Sequence, residues 1–223
     1  MSKSWKQIAI IAIPIVIIVM LGMAFGGAVS LYASIYNGII GSKQSVHSSI
    51  ADLEAEYQRR YALVDNFVLI VKETKAFEKE LVAVEKEIYI KVAEAKAAAT
   101  KLDVTIPESV QAKVKSENDL SKILTNAMDK LMVMAQRYPV IKDPKVKDRT
   151  ETFESLKTLR RELKDIEENI AYSRKVVNER VRVYNQTIQV WPSNVIAGMS
   201  NFKDMPFFQV HDEDARKDAK ISF

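Results

Sequence analysis

A chain of 223 residues without cysteine can hold no disulfide, no thiolate metal site and no lipidated cysteine anchor. Its 48% hydrophobic and 28% charged residues fit a folded protein rather than a disordered one. The net charge of +4 is small and half of it comes from Lys3 and Lys6, so the bulk of the chain is only weakly basic and a nucleic-acid partner is not expected.

From the N-terminus, no charged side chain occurs between Lys6 and Lys43, and the core of that interval, Ile8 to Phe25, is almost wholly apolar. About 20 apolar residues suffice to cross a bilayer, so this stretch predicts a transmembrane helix contacting lipid through residues 8–31. Trp5 on one side and Tyr32 with Tyr36 on the other stand where interfacial anchors belong, and Pro14 marks a kink or the first well-formed turn. The apolar run is longer than the core of a signal peptide, and no clear cleavage site lies between Gly26 and Ser34. We therefore read an uncleaved anchor. Gly22 and Gly26 form a small-xxx-small spacing that would let two membrane helices approach closely. Lys3 and Lys6 against Lys43 alone favour a cytoplasmic N-terminus, a bias that nearly vanishes if Arg59 and Arg60 enter the count.

Ser45 to Leu102 contains no Pro and no Gly and carries one apolar stripe at a spacing near 3.5 residues: Val46, Ile50, Leu53, Tyr57, Tyr61, Val64 and onward through Leu81, Val84, Ile88 and Val92. That period predicts a helix about 85 Å long with a coiled-coil-like seam. Asp103 to Lys115 has no sustained period and reads as a connection. Ser116, with Asp119 three residues on, predicts the start of a shorter amphipathic helix through Leu120, Ile123, Leu124, Ala127 and Leu131 that ends before Pro139. After a turn at Tyr138 to Pro144, a start signal at Asp143 or at Asp148 opens a second long stripe from Phe153 to Trp191, stopped by Pro192.

The fold class predicted is all-α: an N-terminal transmembrane helix followed by an elongated antiparallel helical bundle with two long helices and one shorter one. The expected division is a membrane anchor at 1–40, a bundle at 41–192, and a Phe-rich segment with a charged tail at 193–223. In that last part Val195, Ile196, Met199, Phe202, Met205, Phe207 and Phe208 are too apolar to remain a solvated tail. Packing back on the bundle is favoured over a docking patch for another subunit or for lipid.

The chemistry-bearing residues are sparse. Two histidines, His47 and His211, stand far apart, and neither a Gly-rich phosphate loop nor a nucleophilic Ser setting occurs. Carboxylates such as Glu78, Glu80, Glu85 and Glu87 alternate with Lys75, Lys79, Lys86 and Lys91, the pattern of a solvated helix face. We expect no enzyme, no catalytic residue, no cofactor and no metal. The doublets Arg59–Arg60 and Arg160–Arg161 read as solvated arginines with buried stems, or else as contacts to a partner. Asn37 and Asn185, each after a Tyr, suit hydrogen bonds at helix ends or across between helices.

Three signatures in order resemble the LemA family. The first comprises Tyr36, Asn37 and Gly38, then Gln58, Arg59, Arg60, Leu63, Val64, Asn66, Phe67, Val68 and Val71. The second comprises Tyr138, Pro139, Phe153, Glu167, Ile170, Ala171 and Arg174; the third comprises Tyr184, Asn185, Trp191, Pro192, Ile196, Ala197, Phe202, Phe207 and Phe208. Two positions depart from the family pattern: Asp65 stands where Pro is usual, and Phe77 with Glu78 stand where a His-Glu pair is expected. The resemblance implies a bacterial-type single-pass membrane protein with a helical soluble domain and no agreed activity. It also implies an N-terminus outside the cell, opposite to the lysine bias, and a link in some relatives to the shaping of internal membranes.

The function expected is therefore a non-enzymatic scaffold anchored in the bacterial cytoplasmic membrane, self-associating as a homo-oligomer or binding envelope partners. The alternative is a protein that binds or remodels the lipid surface directly. Candidate interaction residues are Arg59, Arg60, Asn66, Phe202, Phe207 and Phe208, with Gly22 and Gly26 as candidate membrane-helix packing positions.

Overall fold

The computed structural model describes residues 3–74, 86, 89–94, 97, 102–137 and 149–209. Four helices are defined: α1 (Lys3–Thr74), α2 (Pro107–Arg137), α3 (Arg149–Gln189) and the short α4 (Ser193–Met199). Among the described residues there is no strand, so the all-α class expected from the stripes is the class found. The far half of the first stripe at 75–85, the turn at Tyr138 to Pro144, both start signals at Asp143 and Asp148, and the tail from His211 lie outside the described residues.

The chain forms two compact units, one of residues 1–44 with 183–203 and one of residues 45–182 with 204–223. In the first unit, Ile13 to Leu31 is helical and exposed on every face, with a mean hydropathy that makes it the one helix among the described residues long and apolar enough to cross a membrane. Side chains on all sides of such a helix are apolar because its solvent is hydrocarbon rather than a core on one side. Pro14 lies inside α1 without ending it. Further along, Ile39 from α1, Tyr184 and Ile188 from α3, and Ile196 and Ala197 from α4 are buried.

The second unit is a bundle around the seam. From α1 it buries Val46, Ser49, Leu53, Tyr57, Tyr61, Val64 and Phe67, at steps of three and four residues. From α3 it buries Leu156, Leu159, Leu163, Ile166, Ile170, Val177 and Val181, the alternating three-four step of a coiled-coil seam. Tyr57 meets Arg174 and Arg60 meets Glu167, so the number rises on α1 as it falls on α3 and the two run antiparallel. On α2, Glu117 lies at the level of Arg60, while Asp129 reaches Arg160 further toward the start of α3. Helix α2 is therefore antiparallel to α3 and parallel to α1.

One expectation is corrected here. Residues 107–115 are not a connection: Pro107 takes the first helical position, where its missing N–H costs nothing, and the N–H groups of Ser109 and Val110 bond the carbonyl of Ile106.

Candidate functional site

The charged side chains that the bundle withdraws from water are concentrated where α1, α2 and α3 meet. Arg60, Lys113 and Glu117 are fully buried. Arg60 pairs with Glu117 through Nη2 and with Glu167 through Nη1 at 2.9 Å. Glu117 accepts a further bond from the Tyr61 hydroxyl and one from Lys113 Nζ at 2.6 Å, one turn earlier on its own helix. Lys113 Nζ also lies 3.2 Å from Glu54. A lone buried charge is costly, and this arrangement closes only because each cation meets two carboxylates and Glu117 meets two cations and a hydroxyl. Among the described residues, Arg60 Nε is the one buried side-chain nitrogen or oxygen without a hydrogen-bond partner.

Tyr57 sits at the centre as a surface for cations. The Arg60 guanidinium lies 5.4 Å, Lys113 Nζ 4.8 Å and the Arg174 guanidinium 5.8 Å from its ring centre, and Arg174 Nε donates to its hydroxyl at 3.1 Å. Burial pushes the Tyr57 hydroxyl above its usual pKa against the opposing pull of Arg174. Burial likewise raises Tyr61, and its bond to Glu117 adds to the effect. For Arg60 burial works against the charge, but Glu167 and Glu117 hold its pKa above the ordinary guanidinium value. Side chains this deep cannot touch a substrate from solvent, so the geometry suits a clamp joining three helices rather than an acid-base centre. Among the described residues no group of three or more His, Asp or Glu is arranged to hold a metal.

The candidate residues from the sequence scatter. Arg59 is exposed and pairs with Glu56 at 3.1 Å, whereas its neighbour Arg60 is wholly buried, so the solvated reading of that doublet holds for one member and fails for the other. Arg160 is exposed and pairs with Asp129 at 2.9 Å. Asn66 is exposed. In the first unit Phe202 packs against the Tyr36 ring at 5.8 Å between centres, with Lys43 Nζ 6.0 Å from its own. In the second unit Phe208 is buried and held by Asn178, whose Oδ1 accepts from the Phe208 N–H at 2.7 Å and whose Nδ2 donates to its carbonyl at 3.3 Å. Phe207 is exposed and lines a shallow groove with Arg174, Asn178 and Arg182. A Cβ added at Gly22 or Gly26 would meet nothing within 4 Å, so among the described residues no helix packs on that spacing.

Sequence reasoning missed Lys113, Glu117 and Glu54 as one cluster. A signal was present: Lys113 and Glu117 interleave with Val110, Val114 and Leu120, so charged residues stand on the stripe itself, four apart and of opposite sign.

The profile of the LemA family matches residues 49–223. The chain is similar to magnetosome protein MamQ of Magnetospirillum gryphiswaldense, with 21% identity over 183 residues, 78% of this chain and 64% of that protein. It is also similar to magnetosome protein MamQ 2 of Paramagnetospirillum magneticum, with 31% identity over 84 residues, 38% of this chain and 28% of that protein. The match thus spans less than two thirds of the length of either relative. No solved structure matches the chain at a significant level.

Proposed function

From the premise that the chain belongs to the LemA family, we propose a non-enzymatic, single-pass scaffold anchored in the bacterial cytoplasmic membrane that presents a helical bundle for self-association or for envelope partners. The observation that carries this reading is that one helix, α1, holds both the exposed apolar stretch and the buried Arg60 that ties it to α2 and α3. Arg60, Lys113 and Glu117 are buried and each pairs with a group of opposite charge, across helices for Arg60 and Lys113, which supports a structural over a catalytic role.

The test is the mass of the full-length protein in detergent and in lipid, by light scattering and cross-linking. Assembly above the 25.3 kDa chain that rises with concentration is expected. A monomer at every concentration, with no envelope protein cross-linked in cells, overturns the reading. A second reading, which the family resemblance implies, is a protein that binds or remodels the lipid surface directly. Vesicles that keep their shape under electron microscopy when loaded with the full-length protein would exclude it.

A further inference from the structure

Beyond the membrane-spanning stretch at 8–31, the sequence offers the phenylalanines near the C-terminus as a lesser alternative for a lipid or subunit contact. The structure points to different residues. In the unit formed by 1–44 and 183–203, α4 ends in a Schellman turn. The Phe202 N–H bonds the Ala197 carbonyl at 3.0 Å, the Asn201 N–H bonds the Gly198 carbonyl at 3.4 Å, and Asn201 takes the left-handed conformation with φ 55°. That turn directs Phe202 onto Tyr36, one helical turn beyond Tyr32 and just past the apolar stretch of α1, and Tyr184 donates to the Lys203 carbonyl at 3.1 Å. The segment is thereby fixed beside the point where α1 leaves its apolar stretch.

Fixed in this way, α4 turns one face inward and one outward. Ile196 and Ala197 are buried, at 7% and 3% exposure. Val195 and Met199, four residues apart and so on one line of α4, are 54% and 76% exposed, and Val190 and Trp191 in the turn just before that helix are 60% and 77% exposed. A Trp and a Met left almost wholly in water are unusual for an ordered segment of a soluble surface. The charges of the same unit are equally unusual. Its residues include Lys3, Lys6, Lys43 and Lys203 and no Asp or Glu, so the whole net charge of +4 belongs to it and the 29 carboxylates all belong to the other unit.

We infer that Trp191, Val195 and Met199 form a second bilayer contact, an interfacial foot that lies on the lipid surface next to the membrane-spanning stretch of α1. Apolar side chains led by a Trp, continuous with the exit of an apolar helix and set in a unit free of negative charge, match the headgroup region of a membrane containing anionic lipid. This inference rests on the membrane-anchored reading, and it makes Ile196, Phe202 and Phe208 packing residues rather than lipid contacts.

The chain has no cysteine, so Met199→Cys gives a single site for an environment-sensitive nitrobenzoxadiazole label, and Tyr172→Cys, exposed on α3 in the other unit, gives the control. Each full-length variant is reconstituted in phosphatidylcholine–phosphatidylglycerol vesicles and its association is read by flotation. The label at 199 should emit blue-shifted light, be quenched by lipid brominated near the headgroup end of the acyl chains, and bleach several-fold more slowly with dithionite than the label at 172. Adding Trp191→Asp should abolish all three differences while flotation persists. Flotation with a water-like, rapidly bleached label at 199 overturns the foot and leaves the anchor standing. Protection at 199 that depends on protein concentration and resists brominated lipid assigns the face to a second copy and likewise overturns it. A chain that does not float overturns the anchored reading and the foot together.

Discussion

Arg60 on α1 and Glu117 on α2 form an ion pair in which neither side chain reaches solvent. Glu167 on α3 holds the other end of the same guanidinium at 2.9 Å. One arginine therefore fixes the rotational setting of three helices at once, because each partner is reached only from its own helix face. Apolar seams alone tolerate sliding by a turn; a buried pair with directional hydrogen bonds does not, and we assign register specification to this network.

Arg60→Met should destabilise the bundle by about 3–5 kcal/mol, since it strands Glu117 with Lys113 as its one cation and leaves Glu167 without its guanidinium. Glu117→Gln should also destabilise. The double variant should cost less than the two single costs together, because residues in one network couple. Urea unfolding of the full-length protein in detergent, followed by circular dichroism, measures all three.

Exposed pairs supply the contrast. Arg160 and Asp129 are both about half exposed. Arg160→Ala should shift the same unfolding curve by less than about 1 kcal/mol, and that shift should shrink further in high salt.

These two arginines also show how far the sequence could be read. Both stand in Arg-Arg doublets on long amphipathic helices, and nothing in either doublet says which member turns inward. The apolar stripes disclosed α1, α3 and their pairing, because Leu and Val at three-four spacing have one physical use on a helix. The same logic concealed the start of α2: Lys113 and Glu117 occupy core positions, and a period defined by apolar residues does not register a salt bridge placed on it. The exposure of Trp191, Val195 and Met199 could not be read locally, because which side of α4 is buried depends on packing within a unit whose other segment, residues 1–44, is distant in sequence.

The tyrosines set the alkaline limit of the fold. The folded pKa of Tyr57 and of Tyr61 is raised above the usual 10.0, through burial first in both cases. A raised folded pKa means the native state holds its proton longer than the unfolded chain. The resulting stability is complete below pH about 10 and is lost as the pH climbs above it toward the folded values. The denaturation midpoint should thus be level across neutral pH and fall on the alkaline side. Tyr61→Phe should flatten that fall at the expense of the neutral-pH plateau, because Glu117 loses a donor. Unfolding titrations from neutral pH upward test both parts.

Asn178 holds the chain after α4 in place. Its amide meets both backbone groups of Phe208, accepting at 2.7 Å and donating at 3.3 Å, much as a neighbouring strand would, and so satisfies a peptide that lies outside any helix. Asn178→Leu keeps the volume but offers neither donor nor acceptor, leaving two partly buried backbone groups unpaired at about 1–3 kcal/mol. Asn178→Asp keeps the acceptor and loses the donor, so the shorter bond to the N–H survives. Met205 and Phe208 are the buried side chains carried by this segment, and their release would expose the bonds after Lys203 to trypsin. Limited proteolysis should therefore cut the Leu variant fastest, the Asp variant at an intermediate rate and the parent slowest. Equal rates for all three would show that burial of Phe208 alone, without the amide clamp, holds the segment down.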